Sequence, residues 1–143
     1  VAIQTFDPKK LSVTVGSFII HGWADGEMIS VERTDQAFSK KTGVDGETTR
    51  VKTNNTTGQI KIKLMQSSSS NDDLSSLATA DELSNSGVVP FSCKDGSGTT
   101  VLGAASVWVQ KLPAAEFGKD IGVREWILDT AQLTMVVGGN FSQ

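Results

Sequence analysis

Carboxylates stand close together at several places in this chain, among them Asp25 and Glu27, Asp45 and Glu47, and Asp72 and Asp73. Neighbouring carboxylates can chelate a hard cation such as calcium, or share acid and base roles when one pKa is raised. Either chemistry needs further ligands or a pKa-shifting partner to converge on them. Each pair here has a simpler setting. Asp25-Gly26 and Asp45-Gly46 are turn signals, and Asp72 and Asp73 follow a serine cluster that opens a helix, where the dipole favours anions. His21 is the single histidine and Cys93 the single cysteine, which excludes a His pair for a metal, an intrachain disulfide and a cysteine zinc site. Beside Gly22 and Trp23, without a nucleophile signature, His21 reads as a packed or surface residue. Ser67 to Ser70 lack a GxSxG setting and read as linker and helix cap. The sequons at Asn54, Asn55 and Asn140 read as chance Asn/Thr richness, since no secretory signal opens the chain. No catalytic, metal or cofactor role is expected.

The bulk properties agree. With 143 residues, 38% hydrophobic and 20% charged, the chain has the size and composition of one globular domain, 1–143. A net charge of −3 argues against holding nucleic acid through its phosphates. No apolar run approaches the roughly 20 residues that cross a bilayer, so no membrane anchor is expected. Lys40-Lys41 and Arg50/Lys52 form local basic clusters that, taken alone, read as a solvated face.

These residues must be positioned by a mainly β framework. Residues 10–20 alternate Leu11, Val13 and Val15 against Ser12 and Thr14, and residues 28–34 resume the alternation after the Asp25-Gly26 turn. From Ser39 to Gly58 the chain is polar and Thr-rich, with turn formers at Gly43, Asp45-Gly46 and Gly58. A structureless loop of that length is uncommon in a compact domain. The pattern predicts a protruding β-hairpin over about 39–58, tipped at Val44 to Glu47. The next strand, residues 59–66, is the clearest in the chain, with Ile60, Ile62 and Leu64 on one face. Ser70 followed by Asp73 resembles a capping box, and Leu74, Leu77 and Ala78 form an apolar stripe, predicting one helix over about 71–84. Further strands are expected over 88–93, where Pro90 suggests an edge or an end, and over 99–112 and 124–137. Residues 113–122 read as a loop with room for a helical turn. The total is about seven strands and one helix.

The last two strands carry large apolar groups on both faces. Val107 and Val109 oppose Trp108, Trp126 and Leu128 oppose Ile127, and Leu133 and Met135 share a face. A sheet with one wet face alternates more cleanly. Either a helix or another subunit must cover the second face, and one helix cannot cover everything.

The run "TNNTTGQIKIKLMQSSSSNDDLSSL" resembles the tail tube proteins of contractile-tailed bacteriophages. The opening "FDPKKLSVTVGSFIIHGWADGEMISVER", the run "GVDGETTRVKTNN" and the closing "REWILDTAQLTMVVGGN" extend the resemblance, in order, over nearly the whole chain. It implies a tail-tube-like β-barrel or sandwich with one flanking helix, related in fold to type VI secretion tube proteins. It also implies hexameric rings stacked into a tube inside a contractile sheath, with a central channel through which genomic DNA passes without specific binding. The implied partners are the chain itself, the sheath, the baseplate and the tape-measure protein. The implied location is the virion, after synthesis in the host cytoplasm.

On that resemblance the polar hairpin is the contact arm between rings. Inter-ring contacts are then expected at Lys40, Lys41, Asp45, Glu47, Arg50, Lys52, Asn54 and Asn55 of the hairpin and at Asp72 and Asp73 of the helix start. Contacts within a ring are expected at Val107, Trp108, Val109, Trp126, Leu128, Leu133 and Met135, whose second apolar face would supply a heterologous patch. Six copies at −3 each carry −18, and acidic groups facing the channel would repel DNA over about 8 Å at physiological salt. Alternative readings are a type VI-like or tailocin tube protein and a monomeric β-barrel ligand-binding module, the latter predicting a closed apolar cavity.

Overall fold

The computed structural model describes Ile3 and residues 5–139, so the Asn140 sequon lies outside the described residues. A 3-10 turn at Pro8–Lys10 leads into ten strands and one helix. They are β1 (Leu11–Val15), β2 (Phe18–Ile19), β3 (Ile29–Arg33), β4 (Phe38–Thr42), β5 (Thr48–Lys52), β6 (Gly58–Met65), α1 (Ser70–Ser84), β7 (Val89–Asp95), β8 (Val101–Lys111), β9 (Val123–Thr130) and β10 (Leu133–Val136). Eight strands form one sheet in the order β2-β1-β7-β8-β9-β6-β3, with β10 beside β8; β4 and β5 pair only with each other.

β6 shows why the sheet forms. Ile60, Ile62 and Leu64 are each fully buried, while Lys61 and Lys63 between them stay half-exposed. The period of two matches the pleat, and pairing with β9 on one side and β3 on the other satisfies its backbone. Val13, Val15, Phe91, Val107, Trp126 and Leu128 complete the same inner face, with Leu74 of α1 against it. The interior is filled by these side chains.

Gly58, the first residue of β6, faces Thr130 in the ladder. A Cβ there would collide with the Leu133 side chain and lie 2.8 Å from the Glu32 carbonyl. Glycine is therefore what lets β10 fold inward over the start of β6.

Several elements depart from the sequence expectations, each for a local reason. The strand expected over 10–20 breaks at Gly16, whose φ is +63°, and returns on itself as β2. Pro90 stands at the end of β7, one of the two settings its residue type suggests, although that strand is interior to the sheet; it occupies the register shift between Val89 and Phe91, where no ladder N–H is needed, and its carbonyl accepts from Gly16 N–H. The strand expected over 124–137 is two strands in one register along β8. Val107 opposes Thr130 and Ala104 opposes Leu133, with a bend at Ala131–Gln132. The Thr130 hydroxyl lies 2.8 Å from the Ser106 carbonyl and accepts from Gln132 N–H at 3.3 Å, holding that bend.

The expected capping box is absent. Ser70 is already helical, and its hydroxyl accepts from His21 N–H at 3.0 Å. The helix start is held by Ser68 Oγ, which accepts from Ser70 N–H at 3.2 Å. Residues 112–122 contain no helical turn. That loop is held by Arg124, which donates to the carbonyls of Ala114 and Glu116 at 3.2 Å each.

Candidate assembly surfaces

The hairpin β4–β5 has five residue pairs in register and no sheet partner beyond itself. At its tip Gly43 N–H donates to Glu47 O at 2.8 Å, Gly46 adopts φ +90°, and Asp45 Oδ1 accepts from Glu47 N–H at 3.2 Å. Asp45 therefore builds the turn. At its root Thr53 N–H meets Ala37 O at 2.8 Å, and the Asn55 amide donates to Asp35 at 2.7 Å. Asn55 therefore serves first as a clamp at the root; Asn54 beside it is exposed.

Every residue from Glu32 to Lys52 is exposed, with Val44 fully so at the tip. Strand alternation places Phe38, Lys40, Arg50 and Lys52 on one face, with the Arg50 guanidinium 4.1 Å from the centre of the Phe38 ring. Lys41 lies on the other face. The two strands thus carry four cations and no anion.

The helix has the opposite character. Residues 70–84 contain Asp72, Asp73, Asp81 and Glu82 and no basic residue. Asp72 and Glu82 are exposed, and Asp73 and Asp81 half-buried. Among the described residues the ion pairs run from Lys63 to Glu27 and to Glu125, at 3.6 and 3.9 Å. Among the described residues, neither the arm's cations nor the helix's carboxylates are ion-paired.

These surfaces sit at opposite ends of one strand. The hairpin root leads into β6 at Gly58, and the helix begins just beyond its other end at Met65. Eight residues at about 3.3 Å each separate the two by roughly 25 Å.

The residues expected at contacts within a ring divide by burial. Val107, Trp126, Leu128 and Leu133 are at most 2% exposed in the protomer itself, so their side chains are not available to a neighbour. Alternation reports which face a residue takes, not what covers that face; here the curved sheet and α1 do. Trp108 stands half-exposed on the opposite face, across from Asp129, while Val109 and Met135 pack half-exposed at the margin of the core.

A polar knot escaped the sequence reading. Trp126 Nε1 donates to Asn71 Oδ1 at 2.8 Å, and the Asn71 amide donates to the carbonyls of Met65 and Ser68 at 3.0 Å each. Ser68 Oγ in turn donates to His21 O at 2.6 Å. The serine-rich junction therefore ties helix, β6 and the His21 segment together. The available signal was the buried tryptophan, whose N–H needs an acceptor.

Two of the surface's apolar features lie apart from the arm. One is an open groove of about 610 Å³ bordered by Leu11, Ile19, Trp23 and Met28. The other is the loop 112–122, with Phe117 80% and Ile121 63% exposed. Cys93 is buried, and burial, helped by nearby Asp95, pushes its thiol up to about 11.

The comparisons agree with this architecture. Residues 11–138 match the family model described as the bacteriophage PhiTE tail tube protein. Structural protein ORF10 of Pseudomonas phage KPP10 is 26% identical, over 96% of this chain and 84% of that protein. Among solved structures, the sheath/tube terminator of the extracellular contractile injection system PVC, in its extended state, matches with a TM-score of 0.65 at 12% identity, covering 96% of this chain and 100% of that one. A chain of the PVC sheath–tube complex matches with a TM-score of 0.61 at 12% identity, over 92% and 91%. The tube-terminating cap of the anti-feeding prophage matches with a TM-score of 0.62 at 13% identity, over 95% and 94%. At such identities these structures establish a shared fold. The family match covers most of the sequence and is to structural proteins, not enzymes: this chain belongs to the bacteriophage PhiTE tail tube protein family.

Proposed function

We propose that the chain is the repeating subunit of a contractile phage tail tube. It closes into hexameric rings that stack around a channel for DNA, with the sheath outside and the baseplate and tape-measure protein guiding assembly. The observation that carries this reading is the placement of an unpaired basic arm and an unpaired acidic helix start at opposite ends of β6. Stacking rings head to tail brings such ends together. Lys40, Lys41, Arg50 and Lys52 of one ring then meet Asp72 and Asp73 of the next, with Glu47 and Asn54 near the contact. Each exposed pair contributes only about 0–1 kcal/mol, so the strength comes from repetition around the ring. An isolated two-stranded hairpin is marginal in water, which suits an arm that gains stability by docking.

Trp108 is the apolar group on the outer sheet face that a neighbour in the ring would cover, with Val109 and Met135 at its margin. The fold shared with a chain of a sheath–tube complex supports a sheath partner here too. A tailocin tube would use the same surfaces.

The test is deletion of residues 38–52, joining Ala37 to Thr53, which already face each other across the root. The expected product is folded by circular dichroism and forms rings in negative stain that do not stack. Long tubes from the deleted protein would refute the arm's role.

A further inference from the structure

The groove and the exposed loop form a second pair of unpartnered surfaces, independent of charge. The groove runs along the outer margin of β1 and β2 and is closed on its other side by residues 23–28. Ile19, 69% exposed, stands at its lip, and Trp23 forms part of its wall. Lys9, His21 and Asp25 supply its polar border. The loop 112–122 presents Leu112, Phe117 and Ile121 outward, the Phe117 ring being 5.2 Å from the Arg124 guanidinium that anchors the loop. Its charges are Glu116, Lys119 and Asp120, complementary to the Lys9 and Asp25 of the groove border.

Their positions suit one another. Met65 N–H donates to Gly22 O on one flank of the end of β6, and Gln66 N–H donates to Gly122 O on the other. Groove and loop therefore sit at the same end of the sheet on opposite sides of one strand. A contact between features at equal height closes a ring rather than climbing into a spiral, provided the rotation closes. An aromatic side chain on a loop tethered by Arg124 offers about 150–250 Å² of burial.

Resting on the tube reading, we infer that the loop 112–122 of one protomer seats in the apolar groove of the next copy in the same ring, Phe117 against Ile19 and Trp23. The occupant is a second copy of this chain, and the contact is heterologous: loop of one, groove of the other.

The experiment mixes two single variants, Ile19→Cys and Phe117→Cys, assembles them into tubes and oxidises them. Both positions are exposed, so folding is preserved, and buried Cys93 stays out of the exchange. The expected result is a disulfide-linked dimer on a non-reducing gel from the mixture and none from either variant alone. Rings or tubes in negative stain without that dimer overturn the inference while the tube reading stands. A dimer between Ile19→Cys and Val44→Cys in its place overturns it too, assigning the groove to the arm of another ring. Wild-type protein that forms no ring or tube when supplied with baseplate overturns both.

Discussion

The arm β4–β5 and the strand β6 are neighbours in sequence, both alternate, and both are rich in lysine, yet they serve different ends. In β6 the residues between the lysines are isoleucine and leucine, and they are fully buried. In the arm they are Ser39, Val51 and threonines, and nothing is buried. β6 gains its stability from the protomer; the arm has nothing in the protomer to gain it from. The difference teaches where each kind of damage will appear: lesions in β6 and its neighbours appear as loss of fold, and lesions in the arm as loss of assembly with the fold intact.

The largest break in that contrast is expected at the core. Trp126→Ala removes a side chain 2% exposed together with the donor to Asn71, and should cost about 3–5 kcal/mol in urea unfolding. Trp126→Phe keeps most of the packing but leaves the Asn71 oxygen without its donor, with an expected cost of about 1–3 kcal/mol. Gly58→Ala drives a methyl into Leu133 and the Glu32 carbonyl, and should cost about 1–3 kcal/mol, measured the same way.

A pH titration sharpens the comparison from the core side. The folded state holds the Cys93 thiol at about 11 against an ordinary value of 9.0, so it binds that proton more tightly than the unfolded chain does. The resulting stability is fully present below pH 9 and is lost as the pH rises through about 11. Unfolding midpoints over that window should fall for the wild type and fall less for Cys93→Ala. The smallest effect is expected at the arm, where Lys40→Ala or Lys41→Ala should change protomer stability by no more than about 0.5 kcal/mol. The same variants should shorten tubes at physiological salt and make tube length less sensitive to added salt, because fewer exposed charges remain across the contact to be screened within about 8 Å.

Much of this was legible in the sequence for physical reasons. The period-two run from Ile60 to Leu64 and the turn former Gly46 locate β6 and the arm, because pleat and positive φ leave direct marks on residue type. The faces of Val107, Trp108, Trp126 and Leu128 were also readable, since alternation along a ladder fixes them. What covers each face was not, because it depends on curvature and on α1, both set by contacts far along the chain. The bend at Ala131–Gln132 and the knot of Ser68, Ser70 and Asn71 were hidden for the same reason: hydroxyl and amide partners come from Ser106, His21 and Trp126, which no local pattern announces.

The contact between arm and helix start can be tested by charge reversal and rescue. Lys40→Glu with Arg50→Glu reverses the arm, Asp72→Lys with Asp73→Lys reverses the helix start, and tube length is read in negative stain at physiological salt. Each reversal alone should give folded protein that does not stack, and the two combined in one chain should restore tubes. Undiminished tubes from either reversal alone, or no tubes from the combination, would contradict the contact.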